Sequence, residues 1–294
     1  MGIKRKNKIL SLLLGGAVGD ALGVPFEFMA RGFFKCDDMV GYGTHHQPAG
    51  TWSDDTTMTL CLAETIAEGF DLKRLADKFV KWVKEGYMTP YGDVFDIGNA
   101  TSNAILNYKM GVEPVKCGGT GIRDNGNGSL MRIAPLVFYS TKYEDIRNVS
   151  AVTHAHQISI SACYAYIKFL EQILKGKNKF NAYNTIVQHT ISDFWQKTLP
   201  KNLPELPMSK IASSGYVVDT LRASLWCFLT TDNYKDAVLK AVNLGDDTDT
   251  TACVTGAIAG LYYGLEEIPE EWLEKLARRE LFEEIAKKMD KKLK

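Results

Sequence analysis

Two short acid-rich segments, each directly after a glycine and directly before an apolar stretch, place the strongest constraint on this chain. They are "GTWSDDTTMTL", with Ser53, Asp54 and Asp55, and "GDDTDTTACV", with Asp246, Asp247, Asp249 and Thr250. One acid or serine at each place is explained as a helix N-cap, which the helix dipole favours. The surplus carboxylates repel each other unless a cation lies among them. Mg²⁺, Mn²⁺ or Ca²⁺ bound by these oxygens would remove the conflict, so capping and cation binding both remain open.

Helical periodicity predicts an all-α fold. In "TTMTLCLAETIAEGF" apolar or small residues share one face, and "DLKRLADKFVKWVKEG" repeats the pattern and ends at Gly86. The residues predicted to face the core are Met58, Cys61, Leu62, Thr65 and Ile66, then Leu72, Leu75, Ala76, Phe79, Val80 and Val83. "EEWLEKLARRELFEEIAKKM" reads as one amphipathic helix, while 31–56 and 111–129 are predicted loops. Without a linker or repeat, 1–294 is predicted to be a single compact domain.

Charge and cysteine content narrow the function classes. Lys plus Arg equals Asp plus Glu at 35 each, so the formal net charge is zero. This charge gives no support to nucleic-acid binding, which normally goes with a basic stripe. Six scattered cysteines without a C-x-x-C pair are typical of reduced, buried thiols in a cytoplasmic protein. The start, "MGIKRKNKILSLLLGGAVGDALG", superficially suits a signal peptide. We interpret it instead as a core helix whose glycines allow close packing, with an apolar run too short to span a bilayer.

Five blocks in order resemble those of the ADP-ribosylglycohydrolases, the group that contains dinitrogenase reductase-activating glycohydrolase. They are "GGAVGDALGVPFE", "GTWSDDTTMTL", "NGNGSLMRIAPL", "THAH" and "GDDTDTTACVTGAIAGLYYG". The resemblance implies an all-helical fold with two Mg²⁺ or Mn²⁺ ions at its centre. It also implies an enzyme that hydrolyses the glycosidic bond between ADP-ribose and an acceptor on a modified protein. A rival reading of "DTDTT" as a haloacid dehalogenase motif fails, because that motif lies near the start of its domain.

The resemblance also assigns roles by position. The implied metal ligands are Ser53, Asp54, Asp55, Asp247, Asp249 and Thr250. The implied catalytic residues are Glu27, Asp55 and Asp96, with Glu27 as general base or gate. The implied ADP-ribose-binding residues are Asn125, Gly126, Asn127, Gly128, Ser129 and His154. The family commonly has glycine where this chain has Asp246, whose role stays open.

Each assignment has a simpler alternative in the residues themselves. Glu27 could be a solvated loop acid, Asp96 a helix cap or turn residue, and His154 a cap or a satisfied polar group. Arg132 could reach a phosphate or serve as a structural ion-pair partner. His45 and His46 are expected to lie outside the chemistry. The main prediction is a monomeric hydrolase that favours arginine-linked ADP-ribose. The alternatives are a non-catalytic ADP-ribose-binding or structural protein of the same fold, or a hydrolase for another acceptor.

Overall fold

The computed structural model describes residues 2–188 and 193–294, and these residues form α-helices, short 3₁₀ turns and loops without any strand longer than an isolated bridge. The helices are α1 Gly2–Gly23, α2 Asp54–Ala67, α3 Leu72–Glu85, α4 Asn99–Lys109, α5 Tyr143–Ala151, α6 Gln157–Leu174, α7 Lys179–Gln188, α8 Asp193–Thr198, α9 Val217–Leu229, α10 Tyr234–Val242, α11 Thr248–Tyr263, α12 Glu270–Lys275 and α13 Arg279–Lys292. The all-α prediction is confirmed. One continuous hydrophobic core draws on helices from α1 to α13.

Helices α1 and α11 form the centre of the molecule and approach each other very closely through glycines. A Cβ atom built on Gly15 would lie 2.4 Å from the carbonyl oxygen of Gly256, and one on Gly19 would lie 2.1 Å from that of Ala252. At the end of α1, a Cβ on Gly23 would lie 2.3 Å from Cα of Asp249. Because these neighbours are backbone atoms, no side-chain movement could make room. The glycines therefore set the position at which α11 begins.

Helix α1 satisfies the length and composition of a membrane-spanning helix over Arg5–Phe26, which is longer than the apolar run counted from the sequence. In the structure 94% of its apolar window is buried among the other helices. The burial matches the prediction of a core helix with close-packing glycines.

We expect Gly19→Ala to destabilise the protein by about 3 kcal/mol, because the added methyl group would overlap the backbone of Ala252. The matched control is Gly16→Ala, whose Cβ would meet Ala257 Cβ and Cys253 at 3.5–3.6 Å, an ordinary contact distance. That variant should be unchanged or up to about 1 kcal/mol more stable, since alanine favours helix. Chemical denaturation of both variants measures the difference. Equal stabilities would contradict the close-packing argument.

Three local predictions are corrected by the structure. In α3, Leu75, Ala76 and Phe79 are buried as expected, but the Val83 side chain near the helix end is 40% exposed. The C-terminal segment is two helices rather than one, because α12 ends at Lys275 and α13 begins at Arg279. Arg278 between them has φ +49°, a left-handed conformation that interrupts a right-handed helix. The long loop before α2 exists, but it ends at Ser53 rather than at residue 56.

Candidate metal centre and active site

The N-termini of α2 and α11 carry the two acid-rich segments, and helix capping does not account for the surplus acids in either segment. Ser53 is the N-cap of α2, and its hydroxyl accepts a hydrogen bond from the backbone N–H of Asp55. Asp247 occupies the N-cap position of α11 but makes no side-chain capping bond. Its Oδ2 instead accepts a hydrogen bond of 2.7 Å from Asn127 Nδ2. The first segment therefore contains one true cap, and the second contains none.

Asp20 of α1 organises the start of α2, and sequence reasoning gave it no role. Its carboxylate accepts hydrogen bonds from the backbone N–H groups of Ser53 and Thr56 and a 2.6 Å bond from the Thr56 hydroxyl. Burial raises the pKa of Asp20 to about 6, despite these bonds. An acid within the otherwise apolar "GGAVGDALG" was the signal that could have revealed it. This residue fixes the α2 terminus against the central helix pair.

The carboxylates of the two helix starts come together with those of α1 and the following loop. Possible ligand atoms of Asp20, Asp55 and Asp249 lie within 4.8 Å of one another, and so do those of Glu27, Asp247 and Asp249. Asp249 belongs to both groups. Thr250 is adjacent, since its hydroxyl donates a 3.3 Å hydrogen bond to Asp55 Oδ2. These two acid groups, which share one member, offer buried carboxylate oxygens of the kind that divalent cations prefer.

Three carboxylate oxygens in this cluster have no hydrogen-bond partner although they are buried: Oδ1 of Asp55, Oδ1 of Asp247 and Oδ2 of Asp249. A buried, unpaired carboxylate oxygen is strongly unfavourable, because it has lost its hydration without gaining a donor. Divalent cations coordinated by these oxygens would compensate for the lost hydration. The residues at the site therefore fit the expected metal ions.

The pKa shifts of the clustered carboxyl groups also indicate that a positive counter-charge is needed. Burial raises the pKa of Asp249 well above its usual range, and the charges of Glu27 and Asp55 raise it further. Burial raises the pKa of Asp54 and Asp55 in the same way, with neighbouring carboxylates adding to the effect. Like charges this close cannot all stay ionised without a counter-charge. Cations would supply it, together with the positive ends of α2 and α11.

Glu27 follows a short 3₁₀ turn at the end of α1 and is held by residues that the sequence did not connect with it. Its carboxylate is 6% exposed and forms a hydrogen bond through Oε2 with Nε2 of His45. Asp96 completes a group of three possible ligand atoms with these two residues. The structure thus brings His45 into the site, contrary to the expectation that both histidines lie outside it. Of these two histidines, His46 is exposed and His45 is partly buried.

Asp96 lies in a loop before α4 and has φ +51°, a conformation that is uncommon for a residue other than glycine. It does not cap α4, whose N-cap is Gly98. Burial raises the pKa of Asp96 to about 7, and the nearby charge of Glu27 raises it as well. Backbone strain and a strongly shifted carboxyl group are both typical of functional sites.

A cleft of about 300 Å³ opens beside the acid cluster, with Glu27, Asp54, Asp96, Asp247 and Thr250 on its wall. The glycine-rich segment also lines the cleft through Gly126, Asn127 and Gly128, together with His154 and Arg123. A larger cavity of about 520 Å³ lies between α6, α7 and α8, and none of the acid cluster lines it. The cleft is therefore the place where a ligand can reach the carboxylates.

Two residues of the glycine-rich segment do not line the cleft, which corrects their predicted role in substrate binding. The Asn125 side chain turns towards α6 and accepts hydrogen bonds from the backbone N–H and the hydroxyl of Ser159. Ser129 is fully buried and accepts a 3.0 Å bond from the Ser150 hydroxyl. Both are used to fix the segment to the core. Gly126, Asn127 and Gly128 remain at the cleft surface.

His154 and Arg132 have structural reasons for their positions. Burial lowers the pKa of His154 to about 3, so its ring is neutral, and its Nδ1 lies 2.8 Å from the Thr153 hydroxyl. A Cβ on Gly128 would lie 2.8 Å from the His154 ring. Arg132 is fully buried and donates hydrogen bonds to the carbonyl oxygens of Gly128 and Val149. It cannot reach a phosphate in the cleft.

Asp246 is exposed and has φ +59°. Its backbone N–H donates to the carbonyl of Met29 at 2.9 Å, and its own carbonyl accepts from the N–H of Phe28 at 2.7 Å. The position demands a left-handed backbone, which glycine adopts most easily and aspartate tolerates better than most residues. The Asp246 backbone therefore joins the Glu27 loop to the start of α11, and its side chain lies outside the buried cluster.

Comparisons with known proteins agree with this geometry. The family model described as ADP-ribosylglycohydrolase matches residues 1–294. An ADP-ribosylarginine hydrolase Tri1 of Serratia proteamaculans is 37% identical over 96% of this chain and 79% of its own length. An ADP-ribosyl-[dinitrogen reductase] glycohydrolase of Rhodospirillum rubrum is 29% identical over 92% and 90%. A solved structure titled "ADP-ribosylglycohydrolase-related protein complex" covers 99% of both chains with a TM-score of 0.83 and 32% identity. The chain therefore belongs to the ADP-ribosylglycohydrolase family, a family of glycosidic-bond hydrolases.

Proposed function

We propose that this protein removes ADP-ribose from arginine side chains of modified proteins, with two Mg²⁺ or Mn²⁺ ions held between the starts of α2 and α11. The observation that carries the proposal is the set of three buried carboxylate oxygens without hydrogen-bond partners beside the cleft. Arginine is favoured as the acceptor because the Serratia relative at 37% identity is named for that linkage. Oxygen-only ligands suit both ions.

Six residues are proposed to hold the cations. Each carries a carboxylate or hydroxyl oxygen at one of the two helix starts: Ser53, Asp54, Asp55, Asp247, Asp249 and Thr250. When bound, the cations polarise substrate and water oxygens and offset the negative charge of the cluster. Asp20 supports the first helix start by accepting its free N–H groups, so it acts by positioning those ligands.

The hydrolysis requires a base on the side of the cleft where water attacks the anomeric carbon. Glu27 is proposed to accept the proton of that water as its oxygen bonds to the carbon. The electron pair of the broken C–N bond leaves with the acceptor nitrogen. Asp96, on the wall of the same cleft and with a pKa raised to about 7, is proposed to lie beside the departing guanidino group. Asp55 is proposed to be a metal ligand whose negative charge also stabilises the positive charge that develops on the sugar.

ADP-ribose is proposed to lie along Gly126, Asn127 and Gly128, where missing side chains permit close approach to the backbone, and against the neutral ring of His154. Arg123 is the cation on the wall of this acidic cleft, and no hydrogen bond or ion pair engages it within the described part of the chain. It is therefore a better candidate for the diphosphate than the buried Arg132.

The protein is further proposed to be a cytoplasmic monomer with one domain over 1–294. All six cysteines are free and buried, as is usual in a reducing compartment. The single hydrophobic core supports the domain assignment.

The test is release of free ADP-ribose from arginine-linked and serine-linked peptides, with Mg²⁺, with Mn²⁺ and with chelator. We expect release from the arginine-linked peptide that requires a divalent cation and exceeds release from the serine-linked one by at least about tenfold, or 1.4 kcal/mol in transition-state free energy. Preference for the serine-linked peptide would overturn the acceptor. Binding of ADP-ribose in a calorimeter without any release would show a non-catalytic binding protein instead.

A further inference from the structure

The carboxylate of Glu27 lies on a segment that is held from two sides. On one side, Phe28 and Met29 exchange backbone hydrogen bonds with Asp246, next to the start of α11. On the other side lies the segment 42–47, which we name the Glu27 clamp. The clamp is a tight turn closed by an antiparallel bridge between Tyr42 and Gln47.

Three contacts join the clamp to residues 25–27, directly after α1. The backbone N–H of Thr44 donates to the carbonyl of Pro25 at 3.0 Å, and its hydroxyl donates to the carbonyl of Glu27 at 2.7 Å. The third contact is the hydrogen bond between His45 Nε2 and Glu27 Oε2. A Cβ on Gly43 would lie 1.9 Å from the Pro25 carbonyl, so the two backbones touch here. The clamp therefore fixes both the main chain and the carboxylate of Glu27.

The backbone around this contact is strained. Phe28, Tyr42 and His46 have φ of +66°, +74° and +53°, values that cost energy for any residue with a Cβ. The His45 ring packs between aromatic neighbours, with centroids 6.0 Å from Phe28 and 5.3 Å from Phe95. Strain retained on both sides of one side-chain contact indicates that the contact has a purpose beyond stability.

We propose that His45 is a positioning residue, which donates a hydrogen bond to Glu27 Oε2 and thereby aims the other carboxylate oxygen at the attacking water. This inference rests on the role proposed above for Glu27. A carboxylate with free rotation about its last bonds would present its oxygens in many directions, whereas one fixed oxygen sets the direction of the other. The His45 ring also packs against Phe95, next to Asp96, so one side chain contacts both Glu27 and the loop that carries Asp96.

A metal site formed by Glu27, His45 and Asp96 is the competing explanation, since their ligand atoms lie within 4.8 Å. The direct bond between His45 and Glu27 already gives the imidazole nitrogen a partner without an ion. The experiment described next separates the two explanations. Loss of a metal ligand would reduce the cation-induced rise in Tm, whereas loss of a positioning residue would leave it unchanged.

The test compares His45→Phe, His45→Gln and the control His46→Asn in the full-length protein with saturating cation. Phenylalanine keeps a ring between Phe28 and Phe95 but cannot donate to Glu27. Glutamine carries an N–H donor at nearly the place of Nε2. We expect kcat of His45→Phe to fall by about 10–100-fold, and that of His45→Gln to stay within about fivefold of the wild type. KM, the Kd for ADP-ribose and the cation-induced rise in Tm should be unchanged in all three, and His46→Asn should match the wild type.

A double-variant cycle with Glu27→Gln shows whether His45 acts through Glu27. If it does, Glu27→Gln combined with His45→Phe is no slower than Glu27→Gln alone. The inference would be overturned if the losses in kcat of the two single variants multiplied in the double variant. It would also be overturned if His45→Phe had an unchanged kcat, a weaker affinity for ADP-ribose or no cation-induced rise in Tm. Those outcomes leave the proposed function intact as long as Glu27→Gln itself is slow. A fully active Glu27→Gln would remove the base from the proposed function and the inference with it.

Discussion

Asp249→Asn is expected to abolish ADP-ribose release while making the metal-free protein more stable. Asp249 is fully buried and belongs to both acid groups, so its loss removes the carboxylate that the two proposed cation sites have in common. We expect kcat to fall by at least about 10²–10³-fold, the usual cost of losing one positioned electrostatic group. The cation-induced rise in Tm should also disappear or shrink strongly.

In chelator, Asp249→Asn should stabilise the protein, whereas with cation it should lose the stabilisation that the cation gives the wild type. This change of sign makes the prediction specific. Oδ1 of Asp249 accepts a 2.9 Å hydrogen bond from the N–H of Thr250, which the amide oxygen of asparagine can also accept. Oδ2 has no partner, and an amide N–H₂ in its place can donate to a neighbouring carboxylate. We expect a gain of about 1–3 kcal/mol in the free energy of unfolding without metal.

Asp246→Asn is the matched control, since it makes the same chemical change three positions earlier on an exposed side chain. Its rate of ADP-ribose release should stay within about twofold of the wild type. Its free energy of unfolding, with and without metal, should stay within about 0.5 kcal/mol of the wild type. Thermal and chemical denaturation with and without Mn²⁺, together with an ADP-ribose release assay, measure all these quantities. An Asp249→Asn protein that is less stable in chelator would mean that the carboxylate is needed for folding rather than for cations.

The sequence allowed the helical class and the pairing of the two acid clusters to be predicted, because both depend on local spacing. Apolar residues at helical intervals define α2 and most of α3, and a cap residue followed by surplus acids marks a helix start. The five ordered blocks added the family. What these patterns could not give is the contact between elements that are far apart in the chain.

Asp20, His45 and Arg132 illustrate that limit. Asp20 and the start of α2 are separated by 33 residues or more, and only the packing of α1 brings them together. His45 lies in an irregular loop, where no periodicity predicts which side chain points inward. Arg132 belongs to a segment that lines the cleft in part, yet its guanidinium turns to the carbonyls of Gly128 and Val149. The break between α12 and α13 was equally hidden, because amphipathic spacing continues across it.

Glu27→Gln is expected to lower kcat by about 10²–10⁴-fold, the range for loss of a general acid or base. Glutamine has nearly the shape of glutamate, and its amide oxygen can still accept the hydrogen bond from His45. The Thr44 hydroxyl binds the backbone carbonyl of residue 27, which the substitution leaves in place. The clamp and the cleft should therefore persist, with Tm and the Kd for ADP-ribose close to those of the wild type.

The same variant decides between two roles for Glu27, because its carboxylate also lies within 4.8 Å of ligand atoms of Asp247 and Asp249. A base that does not hold a cation can be replaced without altering the cation-induced rise in Tm. A ligand cannot, since cation binding adds stability in proportion to the logarithm of concentration over Kd, about 2.7 kcal/mol at a hundredfold excess. We expect the rise in Tm to be retained at every Mn²⁺ concentration while turnover is lost. Loss of both together would assign Glu27 to the metal centre. The proton of the attacking water would then require another acceptor in the cleft, for which Asp96 on its wall is the candidate.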